Sequence, residues 1–443
     1  MGKKSVSLCK LINIAYMNRI LISQVQINGT ACDILIEGSQ IAKIAPKIEA
    51  DNISKTIDGR DKAVISGFAN THTHSAMTLF RGLGEDMPLM KWLNECIWPY
   101  EKHLDEEAVY WGARLACLEM IKSGTTVFND MYWHVPACVK AAEEMGLKSV
   151  QGYCWIDHFE DARVEKHKRD LPALHALSRS WNADLTKFSV APHAIYTVSD
   201  EGWRWMAAYA REHGLMLHIH LEESQTEHEW VLSEYDKSVT RYLYDLDVLG
   251  PNVVAAHSVW LSDEDIRILG DHGVSVVHNP NSNFKLASGY KFKYNELRDA
   301  GVRVCLGTDG CASSNNLDMV EAMKNAAMMQ KVWRRDPAAM PLNELMEVAS
   351  RHGYEAMGFA GGRIEEGLPA DLALIDLLQP AFVPRHNFHA SLIYAAHGDA
   401  VDTLLCNGRI LMENRQVPEE KYIMRQVQET ACRLLKTETN KNI

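Results

Sequence analysis

The stretch AVISGFANTHTH, residues 63–74, joins an apolar run to two histidines that are separated by one residue. Residues two apart in a β-strand point to the same face, so His72 and His74 are placed to bind one metal ion. Such a histidine pair is by itself a weak signal. Its meaning depends on whether the rest of the chain repeats the pattern of an apolar strand with a polar end.

The middle of the chain repeats this pattern. Apolar runs of strand length alternate with longer amphipathic segments of helical period, among them Asp105–Ser123, Ser199–His213 and Ser262–His272. The eight runs are Val64–Thr71, Thr125–Asn129, Lys148–Tyr153, Lys187–Ala191, Leu215–His220, Asn252–His257, Val274–His278 and Val302–Leu306. Strands that alternate with helices in this number predict an α/β fold, a (β/α)8 TIM barrel, with a doubly wound open sheet as the main alternative.

Both ends of the chain have a different pattern, with short strands separated by turn residues such as Asn28-Gly29 and Asn407-Gly408. The predicted terminal strands are Val6–Ile12, Arg19–Ile27, Cys32–Glu37, Gln40–Ala45, Leu372–Asp376, Asp402–Cys406 and Arg409–Met412. We predict that they form one small β-sandwich. The predicted domains are residues 1–62 (sandwich, first part), 63–362 (metal-dependent barrel) and 363–443 (sandwich, second part, and a C-terminal helix).

Histidines and one aspartate recur at the C-terminal ends of the predicted barrel strands. They are His72, His74, His193, His220, His257, His278 and Asp309. The C-terminal strand ends of a barrel share one rim, so these side chains are expected to converge there. A set of three histidines and one carboxylate, His72, His74, His220 and Asp309, suits one divalent ion, with zinc the first choice, and such an ion lowers the pKa of bound water.

Several polar residues near this rim compete for roles. His218 and His220 both point into the barrel by alternation, but His218 lies deeper and is interpreted as a hydrogen-bonded interior histidine. Glu223 is placed to carry a proton between water and a leaving group, and from position alone Glu222 is an equal candidate. His257 is placed to orient or polarise the attacking water.

The whole chain has 443 residues, 47% of them apolar, and a formal net charge of −12. An acidic protein is poorly suited to bind nucleic acid, so we expect a small-molecule substrate. No stretch has the length of a membrane span, and the ten cysteines form no C-x-x-C pair. We therefore expect a cytoplasmic protein with reduced cysteines that does not bind membranes, and a homo-oligomer. The chain also has no P-C-x-x-C motif, which excludes a zinc site built from H-x-E and a P-C-x-x-C cysteine pair.

Six segments together resemble the amidohydrolase superfamily, and the likeness runs along nearly the whole chain. They are Gly67–His74, Met77–Gly82, Ala191–His193, His220–Glu223, Ala256–Ser258 and Gly307–Gly310. The chain is most similar to the 5-methylthioadenosine/S-adenosylhomocysteine deaminase branch. The resemblance implies a metal-dependent hydrolase that deaminates an aminated purine nucleoside and releases ammonia. Alternatives on the same motifs are a guanine-type or aminofutalosine deaminase and a triazine-type chlorohydrolase.

The resemblance also implies roles for individual residues. His72, His74, His220 and Asp309 would bind one metal ion, and Asp309 would also accept a proton. By the same likeness Glu223, rather than Glu222, would be the proton shuttle, His257 would assist the water, and His193 would contact the substrate. Glu101, in Trp98-Pro99-Tyr100-Glu101, matches a glutamate that binds ribose hydroxyls.

The chain departs from the family pattern at two places, and it also lacks a lysine that other members of the superfamily have. No lysine ends the fourth strand, because Lys187 lies at its beginning, and this argues against the two-metal members of the superfamily. Ser66 stands where the family usually has proline. The branch places an arginine near Tyr153, and here only Arg163 and Arg169 lie nearby, which leaves recognition of an amino-acid carboxylate open.

Overall fold

The computed structural model describes residues 19–439. Its strands are β1 (Arg19–Ile27), β2 (Thr30–Glu37), β3 (Gln40–Ala45), β4 (Lys55–Asp58), β5 (Lys62–Ser66), β6 (Phe68–Thr73), β7 (Thr125–Tyr132), β8 (Lys148–Trp155), β9 (Thr186–Pro192), β10 (Met216–Leu221), β11 (Val253–His257), β12 (Ser275–His278), β13 (Arg303–Leu306), β14 (Leu372–Asp376), β15 (Val401–Cys406) and β16 (Arg409–Met412). The predicted strand Val6–Ile12 lies outside the described residues.

The α-helices are α1 (Leu89–Trp92), α2 (Trp98–Glu101), α3 (Glu106–Lys122), α4 (Val135–Met145), α5 (Asp161–Ser178), α6 (Asp200–Glu212), α7 (Gln225–Tyr235), α8 (Val239–Asp245), α9 (Asp263–Asp271), α10 (Pro280–Lys285), α11 (Tyr294–Asp299), α12 (Cys311–Ser314), α13 (Met319–Arg334), α14 (Leu342–Val348), α15 (Arg351–Ala356), α16 (Phe388–Ala390) and α17 (Glu420–Thr439). Short 3-10 helices span Ser75–Phe80, Pro380–Phe382 and Gly398–Ala400, and π-helical turns span Leu93–Ile97 and Ser391–Ala395. Within residues 19–439, none of these helices is both long and apolar enough to cross a membrane.

Strands β6 to β13 form the barrel, each strand parallel to the next one along the chain. The first and last strands are joined at the rim, where the Asp309 N–H donates to the His72 carbonyl oxygen at 3.0 Å. Next to this bond, the Asn70 amide exchanges two hydrogen bonds with Thr308, at 2.7 and 3.0 Å. The predicted TIM barrel is confirmed, and the open sheet is excluded. The strands are buried on both faces, which explains their continuous apolar sequences.

Two of the predicted helical segments begin with a serine that caps the helix. The Ser199 hydroxyl accepts a hydrogen bond from the Gly202 N–H at 3.2 Å, at the start of α6. At the start of α9, Ser262 and Asp265 form a reciprocal capping box. Because each helix follows a barrel strand, these caps fix the loops at the rim where polar residues gather.

Strands from both chain ends form a second eight-stranded sheet, as predicted. Strand β1 lies between antiparallel β2 and parallel β4 and β5, and β5 pairs with β14 in the antiparallel direction. One apolar cluster joins the two halves of the sheet. Its N-terminal members include Ile22, Ile34 and Ile36, and its C-terminal members include Leu372 and Leu374. Burial of these side chains fixes the chain ends to each other.

The predicted strand Val64–Thr71 is divided between the two sheets. Strand β5 belongs to the terminal sheet and β6 to the barrel, and Gly67 lies between them. A Cβ atom at Gly67 would lie 2.1 Å from the Thr126 hydroxyl oxygen, so no side chain fits at this junction. An apolar run does not show which sheet it joins, and the sequence therefore predicted one strand. The domain limits at 62/63 and 362/363 stay predictions.

Candidate metal centre and active-site cleft

A cleft opens at the C-terminal rim of the barrel. Seven of its lining residues are titratable ones that the sequence placed at this end: His74, Glu101, His193, His220, Glu223, His257 and Asp309. His72 lies just below them and is completely buried. The fold thus brings together every residue for which the sequence predicted a role in metal binding, substrate binding or catalysis. Their individual roles are treated as proposals below.

Four ligand atoms face one another at the floor of the cleft. His74 Nε2 lies 3.3 Å from His220 Nε2 and 3.3 Å from Asp309 Oδ1. His72 Nε2 lies 3.4 Å from the same Asp309 oxygen and has no hydrogen-bond partner within residues 19–439. In a tetrahedral zinc site with bonds of about 2.0–2.1 Å, neighbouring ligand atoms are about 3.3–3.4 Å apart. The cluster therefore has the size of a site for one divalent ion.

The hydrogen bonds behind two of these ligands show where their protons lie. The Nδ1 atoms of His74 and His220 lie 2.7 Å from the carbonyl oxygens of Met131 and His193. A carbonyl oxygen only accepts, so both Nδ1 atoms carry hydrogen, and in the neutral imidazole each Nε2 atom then presents a lone pair. Lone pairs 3.3 Å apart repel each other unless a cation lies between them. The donor set thus fits a divalent cation chemically as well as in size.

A second grouping shares two members of this cluster. The ligand atoms of His72, His257 and Asp309 also lie within 4.8 Å of one another. His257 Nε2 is 3.9 Å from Glu223 Oε1, so this imidazole lies between the cluster and the carboxyl group. Burial lowers the pKa of His257 to about 3, which keeps the ring neutral at physiological pH.

Glu223 points into the cleft, and burial raises its pKa well above the ordinary value. The nearby carboxylates of Asp309 and Glu227 raise it further. A raised pKa favours the protonated carboxyl group, which is the form that can deliver a proton. Its backbone is fixed as well, because the Glu223 N–H donates to Glu227 Oε2 at 2.8 Å.

Glu222 has a different environment, although it precedes Glu223 directly. Its left-handed backbone, with φ of 50°, directs it away from the cleft. Glu222 Oε2 contacts His228 Nδ1 at 2.7 Å, and Oε1 accepts the Val239 N–H at 3.0 Å. Both carboxylate oxygens are thus used to hold α7 and the start of α8. The sequence left the choice between the two glutamates open, and the structure places only Glu223 at the cleft.

His193 and Glu101 approach the cleft from different sides. His193 Nδ1 is 2.9 Å from the Thr197 hydroxyl, and burial lowers the pKa of this histidine to about 3. Glu101, at the end of α2, accepts a hydrogen bond from the Tyr132 hydroxyl at 2.9 Å. Burial raises the pKa of Glu101, while the Tyr132 hydrogen bond and the nearby His74 oppose that rise. A neutral imidazole and an oriented carboxyl group therefore flank the space above the cluster.

The remaining cleft wall is apolar and aromatic. It is formed by Met77, Leu89, Trp92, Leu93, Trp98, Met131, Tyr132, Trp133, Cys154, Ile156, Tyr196 and Leu286, with Ser313 at the floor. Within the described residues, no lysine or arginine lines the cleft. Such a wall suits a flat aromatic ring and an uncharged substituent.

Three residues considered from the sequence lie elsewhere. His278 is buried away from the cleft and stacks on Phe292 with ring centroids 4.1 Å apart. Lys187 donates to the Gly358 carbonyl oxygen and lies over the Phe359 ring, so no lysine reaches the cluster from β9. Arg163 pairs with Glu160 at the exposed start of α5.

Sequence reasoning missed the residues that orient the predicted ones. Tyr132 contacts Glu101, Asn283 Nδ2 donates to His257 Nδ1 at 3.1 Å, and Ser313 Oγ donates to Asp309 Oδ2 at 3.1 Å. Ser313 lies four residues after Asp309, a spacing that helical geometry in principle makes readable. Tyr132 and Asn283 contact partners on other elements, which spacing alone does not reveal.

Comparisons with known proteins agree with this geometry. The model of the amidohydrolase family matches residues 63–411. A 5'-deoxyadenosine deaminase from Methanoregula boonei is 41% identical over 421 residues, covering 94% of this chain and 95% of the relative. A 5-methylthioadenosine/S-adenosylhomocysteine deaminase from Archaeoglobus fulgidus is 42% identical over 402 residues, covering 90% and 94% of the two chains.

Two solved structures extend the comparison. An adenosine deaminase from Xanthomonas campestris with bound zinc superimposes with a TM-score of 0.87 at 30% identity, covering 94% of this chain and 98% of that one. An atrazine chlorohydrolase from Arthrobacter aurescens TC1 has a TM-score of 0.84 at 21% identity, covering 93% and 100%, and it shares the fold. The barrel, the histidine–aspartate cluster and the family match lead to one conclusion: the chain belongs to the amidohydrolase family.

Proposed function

We propose that this protein hydrolytically deaminates adenosine-type nucleosides and releases ammonia. One observation carries the proposal: a cluster of ligand atoms suited to a divalent ion shares one cleft with Glu223, a buried carboxyl group with a raised pKa. The similarity to relatives with deaminase names supports the same reaction. The alternatives with guanine, aminofutalosine or a chlorinated triazine are kept as outcomes of the test.

His72, His74, His220 and Asp309 are the proposed ligands of one ion, and we propose zinc because the set combines imidazoles with one carboxylate. When bound, such an ion acidifies water and so supplies a nucleophile at neutral pH. Asp309 Oδ2 accepts a hydrogen bond from Ser313, which orients the carboxylate toward the cluster. Asp309 is also the proposed acceptor of a proton from the attacking water.

Glu223 is the proposed proton carrier. Attack of water on the ring carbon forms a C–O bond, and Glu223 protonates the adjacent ring nitrogen as the tetrahedral centre forms. The Glu223 carboxylate then takes the proton of the new hydroxyl group and delivers it to the exocyclic amine, the C–N bond breaks as the carbonyl forms, and ammonia leaves. The proton that Asp309 accepted from the water returns to Glu223 and restores the starting state. His257, 3.9 Å from Glu223, is proposed to hold the attacking water in line. His193 is proposed to contact the purine ring as a neutral imidazole.

Glu101 is the proposed ligand of the ribose hydroxyls. We expect Glu101→Ala to lower kcat/KM for an adenosine-type nucleoside about 10- to 100-fold, mainly through KM, since a hydrogen bond to a charged group contributes about 1.5–3 kcal/mol. The free base should lose almost nothing. Steady-state kinetics on both substrates test this. Glu95→Ala is the matched control, because Glu95 lies on the same helical segment but is 57% exposed and pairs with Lys91. Equal losses on nucleoside and free base would show that Glu101 is structural.

The uncharged wall predicts a preference at the 5' end of the nucleoside. An amino-acid tail would bring a carboxylate into a cleft that has no lysine or arginine among its described lining residues. We expect kcat/KM for 5'-deoxyadenosine and 5-methylthioadenosine to exceed that for S-adenosylhomocysteine by about tenfold or more, because an unpaired buried polar group costs about 1–3 kcal/mol. An equal or higher kcat/KM for S-adenosylhomocysteine would contradict the prediction that the uncharged wall disfavours a carboxylate.

The experiment that tests the proposed reaction is ammonia release from a substrate panel. The panel contains 5'-deoxyadenosine, 5-methylthioadenosine, S-adenosylhomocysteine, adenosine, guanine, aminofutalosine and a chlorinated triazine. Release from adenosine-type compounds supports the proposal. Chloride release from the triazine, without ammonia from any purine, would replace deamination with dechlorination. A homo-oligomer and a cytoplasmic location are also proposed, from the sequence alone.

A further inference from the structure

The three histidines of the cluster differ in what orients them. The Nδ1 atoms of His74 and His220 contact backbone carbonyl oxygens, which fix the Nδ1–H tautomer of the neutral ring. The Nδ1 atom of His72 instead contacts another imidazole, and it lies 2.8 Å from His218 Nε2. Both histidines are 0% exposed, and their rings meet edge to face with centroids 4.9 Å apart.

An imidazole at this position can donate or accept, so the contact allows two arrangements. In the first, His72 Nδ1–H donates to His218 Nε2, and His72 Nε2 presents a lone pair to the cluster. In the second, His218 Nε2–H donates, and His72 carries its hydrogen on Nε2, facing Asp309 Oδ1 at 3.4 Å. Only the first arrangement leaves His72 able to bind a metal ion.

The depth of His72 in the barrel explains why a side chain, and not a backbone carbonyl group, must accept the hydrogen bond from its Nδ1 atom. Residues near the strand ends reach carbonyl oxygens at the rim: His220 uses that of His193, which follows β9. His72 Nδ1 points down into the barrel, where the strand carbonyls are engaged in the parallel ladder. His218, two residues before His220 on β10, points into the same interior.

We propose that His218 is a positioning residue for the metal centre. Its Nε2 accepts the Nδ1–H of His72 and so holds His72 in the tautomer that presents Nε2 to the cluster. From the proposed function, this inference needs only the assignment of His72 as a metal ligand. It does not depend on the substrate or the reaction.

The other ring nitrogen of His218 argues against a purely structural role. In the first arrangement His218 Nδ1 carries hydrogen, and within residues 19–439 this buried atom has no hydrogen-bond partner. An unpaired buried donor is unfavourable for folding. A histidine with one unpaired ring nitrogen is a poor choice for stability, so an apolar replacement should keep the stability of the fold and remove only the acceptor for His72.

The test measures zinc affinity by competition with a chromogenic chelator, and the melting temperature of the metal-free protein. We expect His218→Leu to weaken zinc binding about 10- to 100-fold, the range for partners of metal-bound histidines, without lowering the melting temperature. His218→Gln should recover most of the affinity, because its side-chain carbonyl oxygen can accept at the position of Nε2. His278→Leu is the matched control: His278 is also buried, has no partner for either ring nitrogen within the described chain, and lies off the cluster.

Unchanged zinc affinity in folded His218→Leu, or an equal loss in His278→Leu, would overturn the proposal. If His218→Leu does not fold, nitrogen-15 histidine spectra of the zinc-loaded wild type decide the question. A proton on His72 Nδ1 supports the proposal, and a proton on His72 Nε2 overturns it. Because these readouts are affinity and tautomer, a wild type that binds zinc but releases no ammonia would defeat the proposed reaction and leave this inference standing.

Discussion

Asp309→Ala is expected to lose the metal ion and turnover together. Asp309 is the only anionic member of the cluster, and its Oδ1 lies 3.3 Å from His74 Nε2 and 3.4 Å from His72 Nε2. Burial by itself would raise the pKa of Asp309, but His72 and the other imidazoles outweigh burial and hold that pKa well below the ordinary value. The carboxylate is therefore charged at any physiological pH and balances a cation.

We expect elemental analysis to fall from about one ion per chain to none, and kcat to fall by more than about 10³-fold, because metal activation contributes several kcal/mol. The matched control is Asp157→Ala. Asp157 is also fully buried just past a barrel strand, but it accepts hydrogen bonds from Trp155, Phe159 and Ser199 instead of facing histidines. Asp157→Ala should lower the free energy of unfolding but leave the metal content of the protein unchanged. A full complement of metal in Asp309→Ala would point to His257 as the replacement ligand.

The contrast between Asp309 and Asp157 shows why the rim could be predicted from the sequence. Each barrel strand is buried on both faces and is followed by a helix, so the eight strand ends were readable as apolar runs that stop. Once the runs were read as one barrel, its geometry placed residues as distant as His72 and Asp309 on one rim. An acidic residue after a strand can be either a helix cap or a metal ligand. The histidines predicted at the same rim indicated that Asp309 is a metal ligand.

Other parts of the fold and site depend on contacts that no local pattern encodes. The junction at Gly67 lies inside one apolar run, and only the close approach of Thr126 shows that two sheets meet there. Glu101 follows a short helical segment with a π-helical turn, which has no clear period, and its place in the cleft came from family resemblance. His218 was correctly placed in the barrel interior, but its partner His72 is 146 residues away.

Glu223→Gln is expected to reduce kcat about 10²- to 10⁴-fold, the usual contribution of general acid–base catalysis, while metal content and fold are kept. Glutamine has nearly the same shape, so the change removes the proton and little else. Glu222→Gln is the control: its carboxylate oxygens hold His228 and the Val239 N–H, so this variant should lose some stability and little turnover. If Glu222→Gln is inactive and Glu223→Gln is active, the roles assigned to the two residues must be exchanged.

The leaving group separates the two steps that Glu223 is proposed to assist. An amine must be protonated before it leaves, whereas chloride leaves as an anion and needs no proton. A purine nucleoside with chlorine in place of the amino group still requires protonation of the ring nitrogen. We therefore expect Glu223→Gln to lose less activity on the chloro compound than on the amino compound, with kcat compared in each case to wild type. Equal losses would mean that Glu223 serves only the ring nitrogen or the attacking water. Burial and the carboxylates of Asp309 and Glu227 raise the pKa of Glu223 and so favour its proton-donating form, which the amine needs and chloride does not.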